Sequence, residues 1–200
     1  MDQNTIKDAL KEAIYQRRSS RAFTDAQVSE DIIEEIVESG RLAPSANNLQ
    51  ATHFYVITNA EKRAELTEVV TSVLSNMEEK EGMQPSLLRL IQRAKEGRVD
   101  CTYGAPVLIV TTNTKGSPNA AANCACALEN MMLTASASGL GNVWVNQFLM
   151  LRDEQPIKAF FAALGISEEE EICGSLSVGY TETLPKEPLP RTGNPVTYIR

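Results

Sequence analysis

The feature that most constrains the fold is an unbroken apolar run at residues 106–112, with the sequence PVLIVTT. A continuous apolar run of this length predicts a β-strand that is buried rather than half exposed to solvent. Segments rich in β-branched and aromatic residues predict three further strands. These segments are residues 53–58, 142–148 and 172–180.

Amphipathic segments predict helices before and after the first of these strands. The first helix ends near Arg17, because apolar residues recur at helical spacing up to that point. Ser29 is placed to cap a second helix, and Pro44 lies beyond the end of that helix. Asn59 is placed to cap a third helix, which directly follows the first predicted strand.

A long helix dense in small residues is predicted at residues 120–138 and stops at Gly139. Small side chains let helix backbones approach closely, so we expect this helix at the centre of the molecule or at a dimer interface. A further helix is expected around residues 153–164. No internal repeat or low-complexity linker interrupts the chain, which predicts a single domain over residues 1–200.

Two segments stand apart from this pattern of strands and helices. Residues 78–100 are polar and charged with one short apolar cluster, which indicates a helical excursion that could act as a lid. Residues 181–200 contain four prolines and end in a strand-like stretch at 196–199. This tail is either an extended arm that wraps around a partner subunit or a frayed terminus.

Composition limits the partners of this chain. It has 200 residues, of which 42% are hydrophobic, and a formal net charge of -7. An acidic surface repels nucleic acid and anionic lipid, so neither is an expected partner. Any anion bound by a local basic cluster is therefore expected to be small and enclosed.

The expected localisation is cytoplasmic. The N-terminal segment is charged and amphipathic and lacks the apolar core of a signal peptide. No run of about 18 apolar residues exists, so no membrane span is predicted. The 4 cysteines are expected to be reduced thiols, since this is not a short disulfide-dense chain.

Three arginines and two serines follow the first predicted helix, at residues 17–21. Arginine matches phosphate oxygens with two parallel N–H groups, and serine hydroxyls add donors. Cations are also favourable at the C-terminal end of any helix. The residues alone leave both interpretations open.

A polar loop with the sequence PSANNLQ follows the second helix at residues 44–50. Asparagine and glutamine offer paired donors and acceptors, which suit a ring with alternating carbonyl and N–H groups. An ordinary loop between helix and strand has a similar composition, and on composition alone this is the favoured interpretation.

A glycine-rich turn, GLGN, leads from the small-residue helix into the third predicted strand. It is not the GxGxxG pattern, and it follows a helix rather than a strand, so a Rossmann dinucleotide site is not expected here. Farther along, Lys186 and Arg191 lie among the prolines of the tail. They could complete an anion site or serve only solubility.

The chain contains a single histidine, His53, at the start of a predicted strand. A Ser-His-Asp triad and a histidine-rich metal site are therefore not expected. If the protein is an enzyme, its reactivity is expected to come from a bound cofactor.

Taken together and in order, these segments resemble the nitroreductase family. The resemblance runs from RRSSRAF and APSANNLQATHFYVI through YGAPVLIV and GLGNVWV to SVGYTETLPKEPLPR, which is nearly the whole chain. It implies an α+β fold in which helices flank a central mixed sheet. It also implies an intertwined homodimer with swapped C-terminal arms and FMN at the interface.

The activity that the resemblance implies is a ping-pong reduction. NADH or NADPH reduces the bound FMN, which then reduces a small flat acceptor such as a nitroaromatic compound or a quinone. No dedicated catalytic side chain is expected, because the flavin carries the chemistry. A flavin-binding or storage protein of the same fold, or a specialised flavoenzyme without general reductase activity, is the alternative.

Site residues are carried over by position in the quoted motifs. Residues 17–19 would hold the FMN phosphate and ribityl chain, and residues 144–147 would pass beside the flavin ring with a backbone N–H near its N5 atom. The loop at 44–50 would approach from the other subunit, and two basic residues of the tail would complete the phosphate contacts. The full set is Arg17, Arg18, Ser19, Arg21, Pro44, Ser45, Ala46, Asn48, Gln50, Trp144, Val145, Asn146, Gln147, Lys186 and Arg191.

This sequence departs from the family pattern at three places. Ala46 stands where serine is common, and Gln147 stands where a small residue is often found, which would narrow the pocket. The second basic residue of the phosphate contact is also open, because Glu187 and Pro188 follow Lys186.

Overall fold

The structure is a computed structural model that describes residues 2–183 and 191–200. Along residues 2–180 each strand is preceded by one or two helices, and a short 3-10 turn (Ala46–Asn48) lies before the first strand. In chain order the elements are α1 (Gln3–Gln16), α2 (Glu30–Arg41), β1 (His53–Ile57), α3 (Ala60–Asn76), α4 (Pro85–Lys95), β2 (Val107–Thr114), α5 (Ala120–Ala137), β3 (Gly141–Trp144), α6 (Gln147–Met150), α7 (Gln155–Ala163) and β4 (Glu170–Gly179).

The four strands form one sheet in the order β1-β2-β4-β3, and every neighbouring pair is antiparallel. The expectation of a mixed sheet is therefore wrong for the described residues, where the one parallel pairing is an isolated bridge between Ser19 and Asn142. Strand direction depends on how the connections cross the fold, and the apolar pattern of a strand does not record it.

The sheet is covered by helices on both faces, which confirms the prediction of a buried central strand. Alternate residues of β2 enter different cores: Leu108 and Val110 pack towards α3 and α7, while Val107 and Ile109 pack towards α2 and α5. This alternation follows from the period of two in a strand. It places α5 directly beneath the sheet, as its small residues predict.

Several predicted boundaries shift. The third strand ends at Trp144 rather than at residue 148, because Asn146 turns into the helical region and α6 begins at Gln147. Within the stretch predicted as a lid, only α4 is helical, and its buried Ile91 and Ala94 anchor it to the core. Residues 196–199 form no strand in the described part of the chain.

Two apolar surfaces remain uncovered in the single chain. Helix α1 has no buried residue, and its stripe of Ile6, Leu10 and Ile14 is 53%, 56% and 52% exposed. In the tail, the large apolar side chains of residues 196–199 are also exposed. Among the described helices, none is long and apolar enough to cross a membrane.

Candidate functional site

The segment that holds the arginine cluster runs alongside the start of β3. Helix α1 ends at Gln16 because Arg17 adopts an extended ψ of 129°. Two residues after the cluster begins, the bridge from Ser19 to Asn142 forms, and the Ser20 N–H donates to the Asn142 carbonyl at 2.9 Å. This pairing brings the first and third predicted groups of site residues together within one chain.

Close packing at this junction requires Gly141. A Cβ atom there would lie 2.7 Å from the Ser20 hydroxyl oxygen and 3.0 Å from a methyl carbon of Thr181. The glycine predicted to allow a tight turn thus also lets the arginine segment lie directly on the strand.

The arginines of the cluster have different surroundings. Arg18 turns back on α1, and its Nη1 donates to the Tyr15 carbonyl at 2.6 Å and to the Arg17 carbonyl at 2.8 Å. This is the helix-terminal role that composition left open. Half-buried Arg17 and exposed Arg21 form no side-chain hydrogen bond or ion pair with the described residues.

The loop at residues 44–50 is held in an unusual conformation. Asn47, Asn48 and Gln50 have φ angles of 53°, 54° and 51°, in the left-handed region that asparagine tolerates best among side-chain-bearing residues. The Ser45 hydroxyl accepts the Gln50 N–H at 3.0 Å, and the Gln50 amide donates to Asn48 Oδ1 at 3.2 Å. Strain concentrated in one short loop is a common mark of a binding site.

Helix α5 carries a residue that fixes this loop. The side-chain oxygen of Asn123, itself buried, accepts the Ala46 N–H at 3.1 Å. Sequence reasoning missed Asn123 as a site residue. The signal was an asparagine in an otherwise apolar helix, since a buried amide needs a hydrogen-bond partner.

The loop and the arginine segment lie near opposite ends of α5. The loop is hydrogen-bonded to Asn123, near the start of α5. The arginine segment pairs with Asn142, whose side-chain amide donates to the Ser136 hydroxyl, near the end of α5, at 2.9 Å. Asn123 and Ser136 are about 20 Å apart at the helical rise of about 1.5 Å per residue. One chain therefore does not bring the second predicted group into contact with the first.

The stretch from Trp144 to Gln147 offers backbone donors at its end. The Val145 N–H is already bonded to the Ser175 carbonyl at 2.9 Å, so it is not free for a ligand. The N–H groups of Asn146 and Gln147 have no acceptor among the described residues, as the first N–H groups of a helix generally lack one. Gln147 is buried, and its side-chain oxygen has no hydrogen-bond partner in the described part of the chain.

A cavity of about 840 Å³ opens between α2, the loop and β1. Pro44, Ser45 and Gln50 form one side of it, and Asn123 lies at its back. The cavity is large enough for a small aromatic molecule.

A network around Glu170 forms another wall of the cavity. Its carboxylate accepts from Thr112 at 2.7 Å, from Tyr55 at 2.8 Å, from the Ser167 N–H at 3.1 Å and from His53 at 3.1 Å. Burial raises the pKa of Glu170, but these hydrogen bonds outweigh it and leave the pKa below its ordinary value. Burial and the bond to Glu170 raise the pKa of Tyr55 to about 12.

The chain matches one protein family over most of its length. The model of the nitroreductase family matches residues 14–180, which include the arginine segment, the strained loop and all four strands. The chain belongs to the nitroreductase family.

Individual members of the family are similar over most of their length. A nitroreductase of Bacteroides fragilis with bound FMN superposes with a TM-score of 0.85 and is 30% identical, over 96% of this chain and 98% of that one. An Archaeoglobus fulgidus protein described as an NADH dehydrogenase/NAD(P)H nitroreductase is 29% identical, over 88% of this chain and 86% of its own. A 4-nitrobenzoate reductase of Pseudomonas putida is 27% identical, over 88% and 87% respectively.

Of the two basic tail residues predicted for the site of this nitroreductase-family chain, the structure describes only Arg191. Lys186 lies outside the described residues. Arg191 is exposed and makes no hydrogen bond or ion pair within residues 2–183 and 191–200. The described ranges also contain no group of three or more histidine, cysteine or acidic side chains that could hold a metal ion.

Proposed function

We propose that this protein is an FMN-dependent oxidoreductase that transfers hydride from NADH or NADPH through the flavin to a flat electrophilic acceptor. The acceptor would be a nitroaromatic compound, a quinone or a similar small molecule. The observation that carries the proposal is the pairing of the arginine segment with β3 through Ser19 and Asn142. Strand β3 leads into Asn146 and Gln147, whose backbone N–H groups have no acceptor among the described residues. Bound FMN in the Bacteroides fragilis relative supports the proposal.

These residues fit the two chemically different ends of FMN. Arg17 and Ser19 would hold the phosphate and the ribityl chain. Arg18 would also contribute, because its Nε is buried and has no hydrogen-bond partner among the described residues. Arg21 would lie at the edge of the ring. FMN supplies the reversible hydride acceptor, and the protein has only to bind and orient it.

The donor to the flavin ring is assigned to the start of α6. Because the Val145 N–H is taken by Ser175, the hydrogen bond near N5 would come from Asn146 or Gln147. A fixed N–H at this position stabilises negative charge that develops on the ring. Trp144 and Val145 then have a supporting role, since they hold the turn against β4.

The complete site is proposed to need two chains. In a dimer with two-fold symmetry, antiparallel α5 helices would bring the loop at one end of α5 against the arginine segment of the other copy. The loop would contribute Pro44, Ser45, Ala46, Asn48 and Gln50. The exposed apolar stripe of α1 and the apolar end of the tail support such an intertwined homodimer with exchanged C-terminal arms, because a monomer would leave both in water.

The tail and the lid complete the proposal. Lys186 and Arg191 would reach the phosphate from the extended arm. Residues 78–100, with α4 as their fixed part, would shape the mouth through which acceptors enter. All of these parts belong to one domain over residues 1–200.

The test is the visible spectrum of the purified protein, followed by anaerobic addition of NADH and, separately, NADPH. The expected result is a flavin absorption band at about 450 nm that bleaches when NADH or NADPH is added. Steady-state rates with 4-nitrobenzoate and a quinone should then give parallel double-reciprocal lines, as a ping-pong cycle requires. Bands that neither donor bleaches would contradict a reductase and favour a flavin-storage protein.

A colourless protein that does not take up added FMN would contradict the cofactor assignment itself. Equilibrium dialysis against FMN separates this outcome from loss of cofactor during purification, since a competent apoprotein regains the bands.

A further inference from the structure

Cys173 occupies an irregular position in the ladder between β2 and β4. Thr111 pairs with Gly174 and Thr112 pairs with Ile172, so Cys173 is the extra residue of a β-bulge. A bulge breaks the alternation of side chains and re-aims one of them. Ile172 packs into the core on the α3 side, whereas Gly174 lies against Leu128 of α5. The bulge therefore turns Cys173 towards α5.

The residue that Cys173 meets on α5 is Cys124. The two cysteines and Ala120 form a small buried cluster, separate from the two main cores. In the reduced pair each thiol has its own backbone acceptor, since Cys124 donates to the Thr112 carbonyl and Cys173 donates to the Glu171 carbonyl, both at 3.5 Å. Both side chains are buried, and all four cysteines of the chain are free thiols. A bulge in β4 thus places two thiols of distant sequence side by side.

Cys124 is the more acidic thiol of the pair. Because the neighbouring Cys173 thiol can turn its S–H towards a thiolate, it lowers the pKa of Cys124 to about 7, with help from polar groups that include Thr52 and Asn113, although burial opposes the shift. The same interaction, together with burial, raises the pKa of Cys173. The pair therefore loses its first proton from Cys124, which becomes the nucleophilic sulfur.

The other two cysteines lack such surroundings. Cys101 is buried elsewhere, beside the Thr67 hydroxyl at 3.2 Å, and burial raises its pKa to about 12. Cys126 is exposed and does not belong to the buried cluster. They provide internal references for an inert thiol and for an accessible one.

We propose that Cys124 and Cys173 form a modification site, a dithiol that small hydroperoxides convert to an intramolecular disulfide between α5 and β4. The Cys124 thiolate attacks the terminal oxygen of the hydroperoxide, and the O–O bond breaks. The alkoxide or hydroxide that leaves takes up the proton that Cys124 released. Cys124 is then a sulfenic acid, oxidised by two electrons, which the peroxide has gained.

Cys173 completes the reaction as the resolving thiol. Its sulfur attacks the sulfenic sulfur of Cys124, the S–S bond forms, and the hydroxyl group leaves as water with the Cys173 proton. The net change is two thiols and one hydroperoxide to one disulfide, one alcohol or water, and one further water.

The oxidant would approach the pair from the loop side. The Cys124 sulfur lies 3.9 Å from the Thr52 hydroxyl, and Thr52 lines the 840 Å³ cavity. Cys124 also directly follows Asn123, which holds the loop through Ala46. The disulfide would form behind the strained loop, and the hydroperoxide would enter from the cavity.

The test is to treat the reduced full-length protein with hydrogen peroxide, remove the peroxide with catalase, unfold, alkylate and map the peptides. A Cys126→Ser background removes the exposed thiol as a source of cross-links. The expected product has lost the mass of two hydrogen atoms and contains a peptide pair linked through Cys124 and Cys173, with Cys101 alkylated. Dithiothreitol should restore all alkylation.

A second variant tests the order of steps. In Cys173→Ser, oxidation should stop at the Cys124 sulfenic acid, which a cyclic 1,3-diketone traps; in Cys124→Ser, neither the adduct nor a disulfide should form. The proposal is wrong if wild-type protein oxidises at Cys126 while Cys124 and Cys173 are both recovered as alkylated thiols. A disulfide that joins any other pair would also overturn it. The circular dichroism of each variant confirms that it is folded.

Discussion

At the scale of single residues, Glu170 shows how strongly one half-buried carboxylate can be fixed. Each of its oxygens accepts two hydrogen bonds, Oε1 from Thr112 and His53 and Oε2 from Tyr55 and Ser167. Glutamine here would lose the negative charge that strengthens all four hydrogen bonds. If its NH2 group lay at the Oε2 position, it would also face the Ser167 N–H, which can only donate.

Replacing Glu170 by glutamine should therefore lower the free energy of unfolding by about 1–3 kcal/mol at pH 7. The folded pKa of Glu170 lies below its unfolded value, so its contribution is present above the unfolded pKa of about 4.3 and is lost as pH falls through the folded pKa. Urea unfolding of wild type and Glu170→Gln from pH 7 down to pH 3 measures this, and the difference should shrink at the acid end. Glu169→Gln, at an exposed neighbour, is the matched control.

Arg17 should contribute to FMN affinity through its guanidinium group, which has no partner among the described residues. Arg17→Ala is expected to weaken FMN binding by about 1.5–3 kcal/mol, because it removes one charged hydrogen-bond partner. Quenching of flavin fluorescence on titration of apoprotein gives the dissociation constant. Arg98→Ala, which removes an exposed arginine paired with Glu96, should leave it unchanged. Equal affinity in wild type and Arg17→Ala would contradict the phosphate assignment.

The residue types of the site could be predicted from sequence, but not the use of each one. The cluster at 17–21 indicated both an anion site and a helix end, and the structure assigns Arg18 at least partly to the helix end through the Tyr15 carbonyl. Nothing in the local sequence distinguishes Arg18 from Arg17. The tie between Asn123 and Ala46 joins residues 77 positions apart, so no local pattern could reveal it.

At the scale of elements, the contact between α5 and β4 depends on Gly174. A Cβ atom there would lie 2.6 Å from a methyl carbon of Leu128 and 3.1 Å from the Trp144 ring. Gly174→Ala should therefore destabilise the protein by about 1–3 kcal/mol through overpacking.

The midpoint of thermal or urea unfolding measures the effect of Gly174→Ala. Gly193→Ala is the control, because a Cβ atom there would meet nothing within 4 Å. If the two variants unfold at the same midpoint, the close approach of α5 to β4 is not as tight as described.

The elements themselves were largely predictable, whereas their arrangement was not. The apolar run at 106–112 gave a strand buried on both faces, and Asn59 caps α3 as expected, with its side chain accepting the Lys62 N–H. The third strand was predicted too long because apolar residues such as Val145 and Phe148 are compatible with a buried strand as well as with a buried helix. Antiparallel pairing is a tertiary property, and the sequence pattern does not contain it.

At the scale of the whole molecule, the exposed apolar stripe of α1 is the feature that most directly supports the proposed dimer. Leu10→Lys, in the middle of the stripe, should weaken the proposed dimer because it places a charge in an apolar interface. Light scattering coupled to gel filtration measures the mass as a function of concentration. Glu12→Lys places the same side chain on the opposite face of α1 and should leave the mass unchanged. Monomeric wild-type protein would contradict the dimer.

The bulge at Cys173 also predicts that β4 tolerates deletion of this one residue. In an ordinary strand, deletion of one residue shifts the register and turns every later side chain to the wrong face. Here Thr111 already pairs with Gly174 and Thr112 with Ile172, so a chain without Cys173 would have a regular ladder with both flanking side chains facing as before. Length variants among relatives should accordingly fall at this position of the strand and spare its neighbours.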